Sequence, residues 1–259
     1  MTTPIIVNGA VGRMGRRLLV LASERPRDFR IVAGVDQQPG SLRELGVASD
    51  GPVLVQIPAE RGAVVIDFSH HSAFTGVATR CAASGMALVS GTTGIDPAIL
   101  DATLAVACAS IPAMHAMNYS VGVNVLFQTA AQLAKVLGPD YDIEIVESHH
   151  SQKVDAPSGT AYGLADAILA ATGRARSDLV HGREGQVGTR RKGEIGMHAL
   201  RLGDVVGDHS VYFVGNGERI LLGHVAHSRD IFVGGALRAA TWIHGRKPGR
   251  YAMRDVLGL

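Results

Sequence analysis

The sequence predicts an α/β fold in two parts: a parallel sheet covered by helices on both faces, then a smaller α+β region with a mixed or antiparallel sheet. Three observations carry this. Short, continuous apolar runs alternate with helical periods through the first half of the chain, as strands buried on both faces do. The first of these runs ends in a glycine-rich turn that opens a helix. Beyond Asn118–Val121 the strands instead alternate polar with apolar residues and are joined by Gly-containing turns. At 259 residues the chain has room for one large domain or two modest ones.

In chain order, Pro4–Val7 reads as a buried strand, and Met14, Leu18 and Leu21 recur at helical spacing after it. Ile31–Val35, Ala63–Phe68 and Ala87–Ser90 are further strands with helical material between them. Val121–Leu137 fits a long, mostly apolar helix. Tyr141–Glu147 alternates as a strand, with Ile143 and Ile145 on one face and Asp142 and Glu144 on the other. Ala161, Leu164, Ile168 and Ala171 form a helical stripe. Ile195–Leu202, Ser210–Val214 and Glu218–Val225 then read as an antiparallel meander, and Asp230–Ile243 as a closing helix.

Composition narrows the function. With 46% hydrophobic and 19% charged residues the chain buries a core rather than remaining disordered. A net charge of +2 and only 5% aromatic residues argue against a nucleic-acid binder. Residues 102–134 carry no Asp, Glu, Lys or Arg, but Pro112, Asn118 and Asn124 interrupt them, so no membrane span is expected. Cys81 and Cys108 lie in Ala-rich stretches without metal-ligand spacing and read as reduced thiols, consistent with a cytoplasmic protein. The N-terminus lacks the basic region of a signal peptide.

Two glycine motifs stand at strand ends. Gly9-Ala10-Val11-Gly12-Arg13-Met14-Gly15 can turn tightly and bring backbone N–H groups to a pyrophosphate at a helix N-terminus. Its spacing is GxxGxxG, with Val11 where a dinucleotide fingerprint has glycine, so the turn alone fits a plain connection equally well. Its context adds an acid, Asp36, at the end of the second strand, suited to ribose hydroxyls. Gln37 and Gln38 follow, and a 2′-phosphate would favour arginine there; this leans towards NADH, with Arg13 still able to reach a phosphate. Ser90-Gly91-Thr92-Thr93-Gly94 follows another strand and offers small and hydroxylic residues to a flat ring, or forms an ordinary polar loop.

The chemistry concentrates in Glu147-Ser148-His149-His150-Ser151-Gln152-Lys153-Val154-Asp155-Ala156-Pro157-Ser158-Gly159-Thr160. Histidine and lysine are donors when charged, and Ser158-Gly159-Thr160 would begin a helix whose amides attract an anion. The set suits a dicarboxylate with an acid beside it; a solvated loop is the plain alternative, and no carboxylate or cysteine completes a metal site locally.

This string resembles the signature of the 4-hydroxy-tetrahydrodipicolinate (dihydrodipicolinate) reductase family of lysine and diaminopimelate biosynthesis. The resemblance extends through Gly9–Gly15, Asp67-Phe68-Ser69, Gly91–Gly94, Asn118–Asn124, Arg201–Gly207 and Ser228-Arg229-Asp230. It implies a Rossmann-type dinucleotide-binding domain (1–119 with 229–259) and a substrate-binding and oligomerisation domain (120–228) that assembles a homotetramer. It implies NADH and/or NADPH held by Gly9, Ala10, Val11, Gly12, Arg13, Met14, Asp36, Gly91, Thr92, Thr93, Ala116, Met117, Asn118 and Tyr119. His149 would donate a proton and Lys153 act as a second donor. His150, Lys153, Ser158, Gly159 and Thr160 would bind the dicarboxylate. Three places depart from the family pattern: Gln37 where arginine is common, the pair His70-His71 where Arg-Pro or His-Pro is common, and Tyr119 where phenylalanine is frequent. Two other readings remain at this point, a different two-domain oxidoreductase acting on a sugar or aldehyde, and a dinucleotide sensor without catalysis.

Overall fold

In the computed structural model, which describes residues 2–259, the chain forms two compact units. One comprises the residues up to Ser120 together with Asp230–Gly258; the other is Val121–Arg229. The first unit carries, in order, β1 (Thr3–Asn8), α1 (Arg13–Ser23), β2 (Phe29–Val35), β3 (Gly40–Ser41), β4 (Pro52–Leu54), β5 (Val64–Asp67), α2 (Phe74–Ser84), β6 (Ala87–Ser90), α3 (Pro97–Ala107) and β7 (Pro112–His115). The second carries α4 (Val121–Leu137), β8 (Asp142–His149), α5 (Gly159–Thr172), β9 (Leu179–His181), β10 (Ile195–Arg201), β11 (Gly207–Val214) and β12 (Arg219–Ala226). The chain then returns to the first unit as α6 (Asp230–Ile243), β13 (Gly249–Tyr251) and α7 (Met253–Leu257).

The first sheet has the order β13-β7-β6-β5-β1-β2-β4-β3, parallel throughout except for the β3–β4 edge. Alternate residues of its strands enter opposite cores, as a period of two requires. Ile5, Val7, Val64, Ile66 and Val89 face α1, α6 and α7, whereas Ile6, Val65 and Leu88 face α2 and α3. The chain winds outward from β1 through β2, then crosses back to β5 on the other side of β1. That reversal between β1 and β5 opens a crevice at the carboxyl ends of the strands, where open α/β sheets bind ligands.

The second sheet has the order β12-β11-β8-β10-β9 and is mixed. β8 runs parallel to β10 and antiparallel to β11. This corrects the expected three-strand meander. β11 and β12 do form a hairpin, but β8 lies between β10 and β11. Strands two places apart are roughly 10 Å apart, and the five residues 202–206 can reach over one intervening strand. They cross the end of β8, where Leu202 N–H donates to His149 O (2.8 Å) and Ser151 N–H to Gly203 O (3.0 Å). Ile143, Ile145, Ile195, Met197, Val211 and Phe213 face the apolar stripes of α4 and α5 from one side of this sheet.

Candidate active site

In the first unit the strand register places Asn8, Asp67 and Ser90 side by side at the ends of β1, β5 and β6. The Asp67 carboxylate is fully buried. Asn8 Nδ2 (2.8 Å) and Ser69 Oγ (2.6 Å) donate to Oδ1, and Thr92 Oγ1 (2.8 Å) and Ser90 Oγ (3.1 Å) to Oδ2. A carboxylate satisfied by so many donors braces the loops after three strands. The Thr92 hydroxyl is therefore engaged with the protein, whereas Thr93 is exposed. A Cβ on Gly91 would lie 2.3 Å from the Phe68 ring, so glycine is required for that loop to close on it.

The turn after β1 is held by its own chain. Gly9 and Ala10 N–H donate to Val35 O, Val11 N–H to Asp36 Oδ2 (2.8 Å), and Gly12 N–H to Gly9 O. Gly9 adopts φ +80°, and a Cβ on Gly15 would meet Gly9 O at 2.0 Å, so the turn can form only with glycine at both. Gly12, the N-cap of α1, has no capping side chain, and no acid occupies the first turn. The amides that α1 offers an anion are therefore those of its first turn, beginning with Arg13 and Met14. The Asp36 carboxylate is fixed by two backbone donors, Val11 N–H and Gln37 N–H (both 2.8 Å), with lone pairs left for further donors.

These residues line a cavity of about 570 Å³ bounded by Gly9, Gly12, Asp36, Gln37, Ser69 and His70. Its shape and donors fit a dinucleotide: an uncapped helix N-terminus for phosphate and a fixed carboxylate for ribose. Among the described residues, no lysine or arginine lines it. His70 Nδ1 accepts from Ser72 N–H (3.4 Å), and its ring lies 3.9 Å from that of His71. Of the residues expected to close over the ligand, Met117 is exposed, Asn118 Oδ1 accepts from Ser120 N–H, and Ala116 N–H donates to Ser90 O. Tyr119 is buried, its hydroxyl on Ser90 O (2.8 Å). Where phenylalanine is frequent in the family, the tyrosine hydroxyl thus finds an internal acceptor.

In the second unit the odd-numbered residues of β8 continue from Ile143 and Ile145 to Glu147 and His149 on the core-facing side. Glu147 is buried and accepts from four donors: His149 Nδ1 (2.5 Å) and Arg201 Nη1 (3.1 Å) at Oε2, Arg201 Nη2 (3.0 Å) and Ser158 N–H (3.1 Å) at Oε1. The β8–β10 register pairs Arg201 with His149, which brings the guanidinium to this carboxylate. Burial alone would push the Glu147 carboxyl up; the hydrogen bonds from Arg201 and His149 outweigh it and hold it below its ordinary value. His149 Nε2 faces Gly207, where a Cβ would lie 3.0 Å away. His209, paired with Glu147 across β11, packs its ring edge-on against His149 at 5.2 Å.

Ser158 caps α5 by accepting from Ala161 N–H and pairs with His209 Nε2 (both 3.1 Å). Its atoms are buried and engaged, so it contributes position to this site. Gly159 is exposed and Thr160 half-buried in the first turn of α5. Lys153 N–H donates to His150 O, and Lys153 Nζ donates to Asp155 Oδ1 (2.7 Å), which holds Asp155 below the ordinary carboxylate range. The end of β8 and the start of α5 thus assemble His149, His150, Lys153, Gly159 and Thr160 around one loop. Sequence reasoning gave no role to Glu147, Arg201, Gly207 or His209. The available signal was periodicity: Glu147 is an acid at a core position of an alternating strand.

No described helix is long and apolar enough to cross a membrane, and no cluster of His, Cys, Asp and Glu suited to a metal occurs among the described residues. The dihydrodipicolinate reductase N-terminal family model matches residues 3–119, and its C-terminal counterpart matches 122–257. The 4-hydroxy-tetrahydrodipicolinate reductase of Myxococcus xanthus (strain DK1622) is 48% identical, over 98% of this chain and 97% of its own. That of Alkalilimnicola ehrlichii is 44% identical over the whole of both. Among solved structures, a dipicolinate-bound dihydrodipicolinate reductase from Paenisporosarcina sp. TG-14 shares the fold with a TM-score of 0.78 at 24% identity, covering 98% of this chain and 99% of that one. A probable dehydrogenase from Thermotoga maritima shares it at 0.63, covering 98% of this chain and 92% of that one at 12% identity. Matched almost from end to end by both halves of one family, and nearly half identical to full-length relatives, the chain belongs to the dihydrodipicolinate reductase family.

Proposed function

We propose that the protein is a 4-hydroxy-tetrahydrodipicolinate reductase, acting in the cytoplasm in lysine and diaminopimelate biosynthesis. The first unit binds the dinucleotide; the second binds the cyclic dicarboxylate. Beyond family membership, the observation that carries this reading is the His149 ring, ordered by Glu147 and followed on one loop by Lys153 and the N-terminus of α5.

When bound, the reduced nicotinamide supplies a hydride. Hydride added at C4 of the substrate ring, conjugated after loss of its 4-hydroxyl, would shift the C=C pair towards the imine nitrogen, leaving an enamine anion that takes a proton at the ring carbon next to C4. His149 delivers the proton that completes the reduction. Lys153 leaves Asp155 to face a substrate carboxylate or the developing charge, and His150, Gly159 and Thr160 hold carboxylate oxygens with N–H and O–H donors. In the first unit, the α1 amides take the pyrophosphate and Asp36 the ribose hydroxyls. A cavity walled by Asp36 and Gln37 rather than by a cation supports NADH preference or dual use over strict use of NADPH. For a homotetramer, the support in this chain is the face of the second sheet turned away from α4 and α5, which exposes Leu221 and Val225 on β12.

The test is nicotinamide absorbance with pyruvate, aspartate semialdehyde and the upstream synthase, NADH and NADPH being assayed separately. Oxidation is expected only with all components present, at least as fast with NADH, from a particle that sediments as four chains. His149→Ala and Lys153→Ala are each expected to lower kcat by about 100-fold, the scale of a lost proton donor. Turnover near that of the parent in both variants would overturn the assignment of roles. No oxidation by folded protein that still binds NADH would overturn the activity.

A further inference from the structure

Glu147 orders the His149 ring but has no further part in the reaction as drawn above, although it accepts four hydrogen bonds, one of them from that ring. It is 1% exposed and shares one face of β8 with the histidine. A carboxylate held ionised by Arg201 is an acceptor only, so the ring nitrogen 2.5 Å away must carry the hydrogen between them. That nitrogen is Nδ1. The other, Nε2, lies on the side where residue 207 has no side chain. Nearby, His209 on β11 packs edge-on against the ring, and Arg201 on β10 and the Ser158 N–H at the start of α5 donate to the same Glu147 carboxylate. Among the described residues, none of these hydrogen-bonds to Nδ1 in competition with the carboxylate.

We propose that Glu147, clamped by Arg201, is the positioning residue that keeps His149 protonated at Nδ1, so that Nε2 is the nitrogen that gives up the proton. The inference rests on the reading of His149 as proton donor. It adds that Glu147 determines which nitrogen acts, and that Arg201 serves the reaction by keeping the carboxylate an acceptor. While the ring is protonated, Glu147 is its counterion; once the proton has left, Glu147 retains the Nδ1–H tautomer.

The test uses the full-length protein labelled with ¹⁵N-histidine, with the His149 signals assigned by their loss in His149→Asn. Long-range ¹H–¹⁵N correlation at a pH where the ring is neutral reports which nitrogen bears hydrogen, independently of activity. The parent is expected to show Nδ1–H. Glu147→Leu is expected to lose that signature and about 100-fold in kcat, with KM changed less than about threefold. Glu147→Gln keeps a carbonyl acceptor for Nδ1–H and is expected to recover part of both. Should Arg201, left without its partner, prevent Glu147→Leu from folding, Glu147→Leu with Arg201→Met removes both charges and is read in its place. An Nε2–H ring in the parent, kcat within twofold in the leucine variants, or loss of kcat with Nδ1–H retained would each overturn the proposal. Undiminished turnover in His149→Ala would instead overturn the reading beneath it, and leave the tautomer result standing.

Discussion

His209 shows how one residue can tie stability to pH at this site. It is 4% exposed, its Nε2 is paired with Ser158, and its buried Nδ1 has no hydrogen-bond partner among the described residues. Burial pushes its pKa down to about 4, and the charge of His149 adds to this, against an opposing pull from Glu147. The unfolded chain then binds a proton at about pH 6.5 that the folded chain refuses until about pH 4. Stability therefore falls as pH drops through that window, by up to about 3 kcal/mol. Urea unfolding at pH 7 and at pH 4.5 is expected to show the loss, and His209→Gln to reduce the difference between the two. An equal slope in the variant would remove His209 as its cause. His209 was also legible in part. Ser210–Val214 reads as a strand, and extending its alternation back one residue puts His209 on the face of Val211 and Phe213. What sequence could not supply was the partner, because the pairing of His209 with Glu147 follows from β8 lying beside β11.

That limit is general among the elements of this chain. Runs buried on both faces, such as Val64–Asp67 and Ala87–Ser90, were legible because parallel strands have no solvent face to alternate with. The hairpin β11–β12 was legible because Gly217, at φ +85°, marks its turn. The Gly203-Asp204 pair resembles such a turn but carries the chain over β8, and local chemistry does not distinguish a two-strand turn from a one-strand jump. The Asp67 cluster was missed for a related reason: its donors come from three strands whose alignment only the folded sheet reveals. Asp67→Ala would leave Asn8, Ser69, Ser90 and Thr92 without their acceptor at the carboxyl ends of those strands. Each buried donor so orphaned costs about 1–3 kcal/mol, so a loss of at least about 3 kcal/mol is expected in urea unfolding, with weaker NADH binding. A change below 1 kcal/mol would mean that water replaces the carboxylate and that the row does not brace the cofactor loops.

At the scale of the molecule, the second unit is inserted between β7 and α6 of the first, so the two differ in what their own stretch of sequence contains. Residues 121–229 hold a complete core: α4 and α5 supply Leu126, Ala130, Leu164 and Ile168, and the sheet they cover is made wholly within that stretch. Residues 1–120 do not. One face of their sheet depends on α6, which contributes Val233, Ala236, Leu237, Ala240 and Ile243, and Arg17 on α1 forms a two-bonded pair with Asp230 on α6 (both 2.7 Å). Removing α6 exposes several large side chains, each worth about 1.5–3 kcal/mol of burial, against a total stability of about 5–15 kcal/mol. A fragment of residues 121–229 is therefore expected to unfold cooperatively by circular dichroism, and a fragment of residues 1–120 is not. Adding residues 230–259 in trans is expected to restore a transition to the latter. The sole tryptophan, Trp242, lies on α6 against Tyr251 and Arg246, so its fluorescence reports that restoration directly. Cooperative unfolding of residues 1–120 alone would show that the sheet face α6 covers can be closed without it, and that the return of the chain is a tether rather than a part of the core.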